Sequence, residues 1–139
     1  MATTTLVGAD PGEIDQLLVA LERDNLPIIA AFWRYPTDMA EGRLVIASPE
    51  VDRVGSLPVY ERIQQALQTV PDAHLWLGDI TAVGAGDPLV VKLRSAIPAG
   101  YRQRRFDIQT GLPDYSAEAG ARVTVHMFRW HPPDQGGGG

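Results

Sequence analysis

The stretch PIIAAFWRYPTDMAEGRLVIASP, residues 27–49, predicts two β-strands joined by a polar turn. Residues 28–35 are apolar on both faces of the first strand until Arg34, and residues 43–47 form a second, short apolar run. A strand that is apolar on both faces needs cover on both faces. We therefore expect this hairpin to lie at or near the centre of a sheet.

Three helices are predicted around the hairpin, each from a capping residue with a proline close behind it and an apolar stripe. The first begins at Asp10 and ends near Asn25, where Pro27 stops it. The second covers about residues 56–70 and the third residues 88–97. Residues 50–55, between the hairpin and the second helix, are interpreted as a loop.

Three further strands are predicted, over residues 74–83, 104–110 and 122–130. The element order is then α-β-β-α-β-α-β-β. Because helices and strands do not alternate regularly, this order favours an α+β fold. We expect a mainly antiparallel five-stranded sheet with three helices packed on one face.

The length of 139 residues favours a single domain, expected over residues 10–131 with flexible tails at 1–9 and 132–139. No apolar run approaches the ~20 residues that span a bilayer, and from the residues at the start of the chain we expect no signal peptide. The chain has no cysteine, which excludes disulfides and thiolate chemistry. We expect a cytoplasmic protein with no membrane partner.

Basic residues concentrate in one part of an otherwise acidic chain. The net charge is −5, but Arg102, Arg104 and Arg105 lie in a stretch with no acid beside Tyr101 and Phe106. Such a stripe is a candidate contact for phosphate, RNA or an acidic partner. Arginines that protect an edge strand from aggregation give the same pattern, and the acidic net charge argues against nucleic acid as a partner.

Catalytic motifs are weak. The segment VGAGDP, residues 83–88, precedes a helix but lacks the spacing of a phosphate-binding loop, so a turn with a helix cap is the better interpretation. Loop acids together with His126 leave open a small metal-dependent hydrolase or nuclease. No histidine has metal-ligand spacing, and we expect no cofactor and no metal site.

Aromatic residues suggest a surface for association. The last predicted strand places Val123, Val125 and Met127 on one face and bulkier side chains on the other. An apolar sheet face left open is typical of a binding surface. We therefore expect a non-enzymatic interaction or regulatory module that forms a homo-oligomer or docks a protein partner. Its expected interaction surface consists of Trp33, Tyr35, Phe128 and Trp130.

The segments AAFWRYP, GRLVIASPEVDRVG, VYERIQQAL and DPLVVKLRSAI resemble those of a group of small bacterial proteins with no assigned function. The resemblance covers about residues 13–98 and is weaker after Gly100. It implies a bacterial, cytoplasmic, single-domain protein. It implies no catalytic or binding residues.

Overall fold

A computed structural model describes residues 11–34, 42–70, 77–96, 105–109 and 122–131. These residues form four α-helices: α1 (Pro11–Arg23), α2 (Pro49–Val54), α3 (Ser56–Leu67) and α4 (Pro88–Ala96). They also form five strands: β1 (Ala30–Arg34), β2 (Arg43–Ala47), β3 (Ile80–Val83), β4 (Arg105–Gln109) and β5 (Arg122–Trp130). A 3₁₀ turn (Leu77–Asp79) precedes β3. The tails predicted at either end lie outside the described residues.

The strands form one sheet in the order β3-β2-β1-β5-β4, so β1 is the central strand, as its two apolar faces predicted. The α+β class is confirmed. The pairs β1–β2, β1–β5 and β4–β5 are antiparallel, but β2 and β3 are parallel. The sheet is therefore mixed, because the chain between β2 and β3 crosses over through α2 and α3 instead of returning directly.

The prediction that three helices pack on one face is wrong in number and in placement. Two apolar clusters lie on opposite sides of the sheet. Leu17 of α1 and Ile63 of α3 belong to one cluster with Trp33, whereas Leu93 of α4 belongs to the other with Phe32. Successive side chains of β1 thus point to opposite faces, and helices cover both faces.

The first helix ends where the sequence predicts. Asn25 has a φ of 64°, in the left-handed region that asparagine tolerates better than most residues. The backbone N–H of Leu26 donates to the carbonyl of Leu21 at 3.0 Å, and that of Asn25 donates to Glu22 at 3.0 Å. These two bonds form the Schellman motif, which satisfies the last carbonyls of the helix.

Helix α2 was not predicted, although its signals are present in the sequence. The hydroxyl of Ser48, which is fully buried, accepts a bond from the backbone N–H of Glu50 at 3.1 Å. Pro49 occupies the first helical position. This is the same combination of cap and proline that marked the other helices.

The edge strand β3 is held to α3 by a side chain. The backbone N–H of Ala82 donates to the hydroxyl of Tyr60 at 2.9 Å, which satisfies an edge donor that has no neighbouring strand in the described sheet. Within the described residues, no helix is long and apolar enough to cross a lipid bilayer.

Candidate docking site

Trp33 does not contribute to an open aromatic surface. Only 2% of its surface is exposed, because it packs into the cluster formed with α1 and α3. Its indole Nε1 is buried, and in the described part of the chain no acceptor lies within hydrogen-bond distance of it. Burial of the whole ring makes Trp33 a core residue, contrary to the expectation that it meets a partner.

A β-bulge separates the two aromatic residues of β5. In the register with β1, Ala31 pairs with Arg129 and Phe32 pairs with Met127, so Phe128 is an extra residue. Such an insertion reverses the alternation of faces. Phe128 packs on the α1–α3 side and Trp130 against the α4 side, and both are only half-buried. The described members of the predicted surface, Trp33, Phe128 and Trp130, therefore do not share one face.

The imidazole of His126 packs against the ring of Phe128, with 4.9 Å between the ring centroids and a tilt of 45°. His126 lies opposite Trp33 in the register of β5 with β1. This places it on the α1–α3 side of the sheet. The described residues contain no group of three or more His, Asp or Glu side chains that could hold a metal ion.

The basic stripe falls mostly outside the described residues, as does Tyr35. Arg102 and Arg104 are not described, and Arg105 is placed only as the first residue of β4, opposite His126. The expected contact of this stripe with phosphate, RNA or an acidic partner stays a prediction.

Carboxylates of the chain itself occupy the glycine-containing turn before α4. Oδ2 of Asp52 accepts a bond from the backbone N–H of Ala85 at 2.8 Å. Oδ2 of Asp87 accepts from the backbone N–H of Leu89 at 3.0 Å and caps the helix. An incoming anion would have to displace these negative groups, so the arrangement favours the structural interpretation of VGAGDP.

A groove lies between α1 and the residues that directly follow α3. Its volume is about 310 Å³. Val19, Ala20 and Val70 supply apolar surface, and Asp15 and Arg23 lie two helical turns apart along α1. The groove is lined by Asp15, Gln16, Val19, Ala20, Arg23, Thr69 and Val70.

Arg129 of β5 binds two acids of α1, one of which, Asp15, lines the groove. The guanidinium of Arg129 donates from Nη1 to Oδ1 of Asp15 at 3.1 Å and from Nε to Oε2 of Glu22 at 2.9 Å. Burial alone would lower the pKa of Arg129, but its bonds to Glu22 and Asp15 outweigh burial and raise it. The cation therefore stays charged and fixes one side of α1 against β5.

The groove residues were not identified from the sequence. The spacing of Ile14, Leu17, Leu18 and Leu21 marks the apolar stripe of α1, and all four residues are buried. The available signal was Val19, an aliphatic side chain on the polar side of an otherwise regular amphipathic helix. Only the packing of α3 beside α1 turns this single valine into part of a groove.

Comparisons with protein-family models, with curated proteins and with solved structures find no match to this chain. The resemblance to small bacterial proteins therefore stays a prediction, together with the origin and compartment that it implies.

Proposed function

We propose that the chain is a non-enzymatic interaction module that associates with itself or docks another protein, and that the α1–α3 groove is its docking site. The observation that carries this proposal is the groove's combination of an apolar floor with opposite charges along one rim. Partly apolar concave surfaces with a few charged groups are typical of sites that bind a helix or peptide.

The proposal keeps the class of function that the sequence favours, but it assigns docking to the α1–α3 groove and not to the expected aromatic face. The expected aromatic face is replaced because Trp33 is buried and the bulge divides Phe128 from Trp130. The hydrolase and the RNA- or phosphate-binding protein stay hypotheses from the sequence alone. No contact among the described residues favours either of them over docking.

A matched pair of valines tests the proposed function. Val19 lies in the groove on α1, and Val91 is 46% exposed on α4, on the opposite side of the sheet. We expect Val19→Glu to lose an assembly, either with itself or with a protein partner, that Val91→Glu retains. Light scattering after size exclusion reports self-association, and affinity capture with both variants reports partners.

Thermal unfolding of both variants controls for loss of the fold. The proposed function is overturned when the wild-type chain and both folded variants show the same monomeric mass and capture the same proteins. A difference confined to the Val19 variant supports it.

A further inference from the structure

We infer that the groove takes helix α1 of a second copy of the chain, packed antiparallel to the first with a two-fold axis at Val19. This inference rests on the proposed function, because it names the partner of the same site. In a two-fold dimer both subunits use the same patch, so that patch must be complementary to itself. The charges along α1 meet this requirement.

Three residues of α1 lie at a spacing of four: Asp15, Val19 and Arg23. Residues four apart share one side of a helix, and the full span from Asp15 to Arg23 is about 12 Å. An antiparallel copy centred on Val19 places its Arg23 opposite the first copy's Asp15. The symmetry repeats the pair, so each dimer gains two ion pairs across the interface.

Both charged groups are accessible for such a pair. The side chain of Asp15 is 58% exposed even though its Oδ1 accepts a bond from Arg129. Arg23 is exposed in the last turn of α1, and within the described part of the chain it has no ion-pair partner. Of the three residues Asp15, Val19 and Arg23, the acid at one end thus has one bond already, and the base at the other end can accept a partner from a second copy.

The surface around Val19, between Asp15 and Arg23, permits close approach of a second helix. Val19 and Ala20 are small and half-buried, and Val70, which follows α3, lines the groove beside them. Small side chains at a helix contact shorten the distance between the helix axes. The apolar part of the patch is narrow, so we expect a reversible dimer whose population depends on concentration.

Disulfide trapping locates the axis directly, because the natural chain has no cysteine. A residue on a two-fold axis faces its own copy, so Val19→Cys should form a covalent dimer rapidly under mild oxidation. The control is Leu57→Cys on α3, which is 69% exposed and lies outside the groove. We expect the Val19→Cys dimer to form on the order of tenfold faster than the Leu57→Cys dimer, because only the thiols at position 19 face each other in the associated dimer.

Charge reversal tests the pairing of Asp15 with Arg23. Arg23→Asp and Asp15→Arg each place like charges opposite each other in a homodimer, which should weaken dimerisation on the order of tenfold. A mixture of the two variants restores both ion pairs, so a heterodimer should form with about the wild-type constant. Sedimentation equilibrium measures all three constants, and circular dichroism confirms that each variant is folded.

The outcomes separate this inference from the proposed function. A wild-type dimer that neither traps faster at Val19 than at Leu57 nor responds to charge reversal overturns the inference but leaves self-association standing. A wild-type chain that is monomeric throughout also overturns it, and the proposed function then depends on partner capture by the groove. Faster trapping at Val19 supports the inference even when Asp15→Arg, which loses Arg129 as its partner, does not fold.

Discussion

Arg129 of β5 binds Glu22 of α1 across 107 positions of sequence, with Nε donating to Oε2 at 2.9 Å. The same guanidinium binds Asp15, so one cation joins two turns of the first helix to the last strand. The bulge at Phe128 makes this contact possible, because it places Arg129 on the α1 side of the sheet. The bridge therefore depends on a backbone irregularity that side-chain alternation alone does not reveal.

Replacing Arg129 with methionine should destabilise the fold by roughly 1–3 kcal/mol, because two carboxylates lose a partly buried partner. Arg129 is 19% exposed, which screens its charge less than at an open surface. The matched control is Arg53→Met, since Arg53 is 69% exposed and pairs with Glu50 within one helix. We expect that control to change stability far less, because solvent screens an exposed ion pair. Urea denaturation measures both, and equal losses would contradict the difference in burial.

Replacing Gly84 with alanine should destabilise the protein by about 1 kcal/mol, because the new Cβ would overlap the exposed carboxylate of Asp52, which must rotate away and lose its bond from the N–H of Ala85. Gly86→Ala is the matched control, since a Cβ at that position meets nothing within 4 Å. Asp52→Ala removes the obstructing group, so the two changes at 52 and 84 should be less than additive. Thermal melts of the single and double variants test this, and full additivity would argue against the close approach.

Replacing Trp33 with alanine should cost about 3–5 kcal/mol, because it opens a cavity in the cluster beneath α1 and α3. Trp33→Phe should cost clearly less, since it removes an indole Nε1 that has no acceptor in the described residues and keeps most of the apolar volume. Chemical denaturation compares the two. A Trp33→Ala variant that keeps wild-type stability would show that the ring is not part of the core.

The pKa of Glu50 is lowered, mainly by its hydrogen bond from Arg53. A carboxylate with a lowered pKa in the folded state stabilises the fold above its unfolded-state pKa. That contribution is lost as the pH falls through the folded-state value. Replacing Arg53 with glutamine should therefore raise the pKa of Glu50 toward the ordinary value. Carbon-detected NMR titration of the Glu50 carboxyl measures the change, and an unchanged pKa would show that the pair is not formed in solution.

The local elements could be predicted from the sequence because their signals are local. The spacing of Ile14, Leu17 and Leu21 defines the buried side of α1, and Asn25 ends that helix in the left-handed conformation. The strand β5 has its predicted bounds, Arg122–Trp130. Helix α2 begins with Ser48-Pro49-Glu50, which carries the usual signals of a helix start, so this helix contradicts the predicted loop although its own signals are local.

The candidate site could not be predicted in the same way, because no local pattern brings α1 beside the end of α3. Val19 and Val70 are 51 positions apart, and their approach depends on the crossover that makes β2 and β3 parallel. The division of the predicted aromatic residues between two faces has a similar reason. The bulge at Phe128 depends on the pairing of β5 with β1, and it moves Trp130 to the other side of the sheet.

By itself, the sequence determined the α+β class, the central place of the hairpin and the buried stripe of α1, because apolar periodicity specifies which sides of an element avoid water. Only the tertiary structure decided which face of the sheet each helix covers. It also decided that Trp33 is a core residue, and that Arg129 reaches α1. These features depend on strand order and on one extra residue in a ladder, which are set by pairing between distant segments.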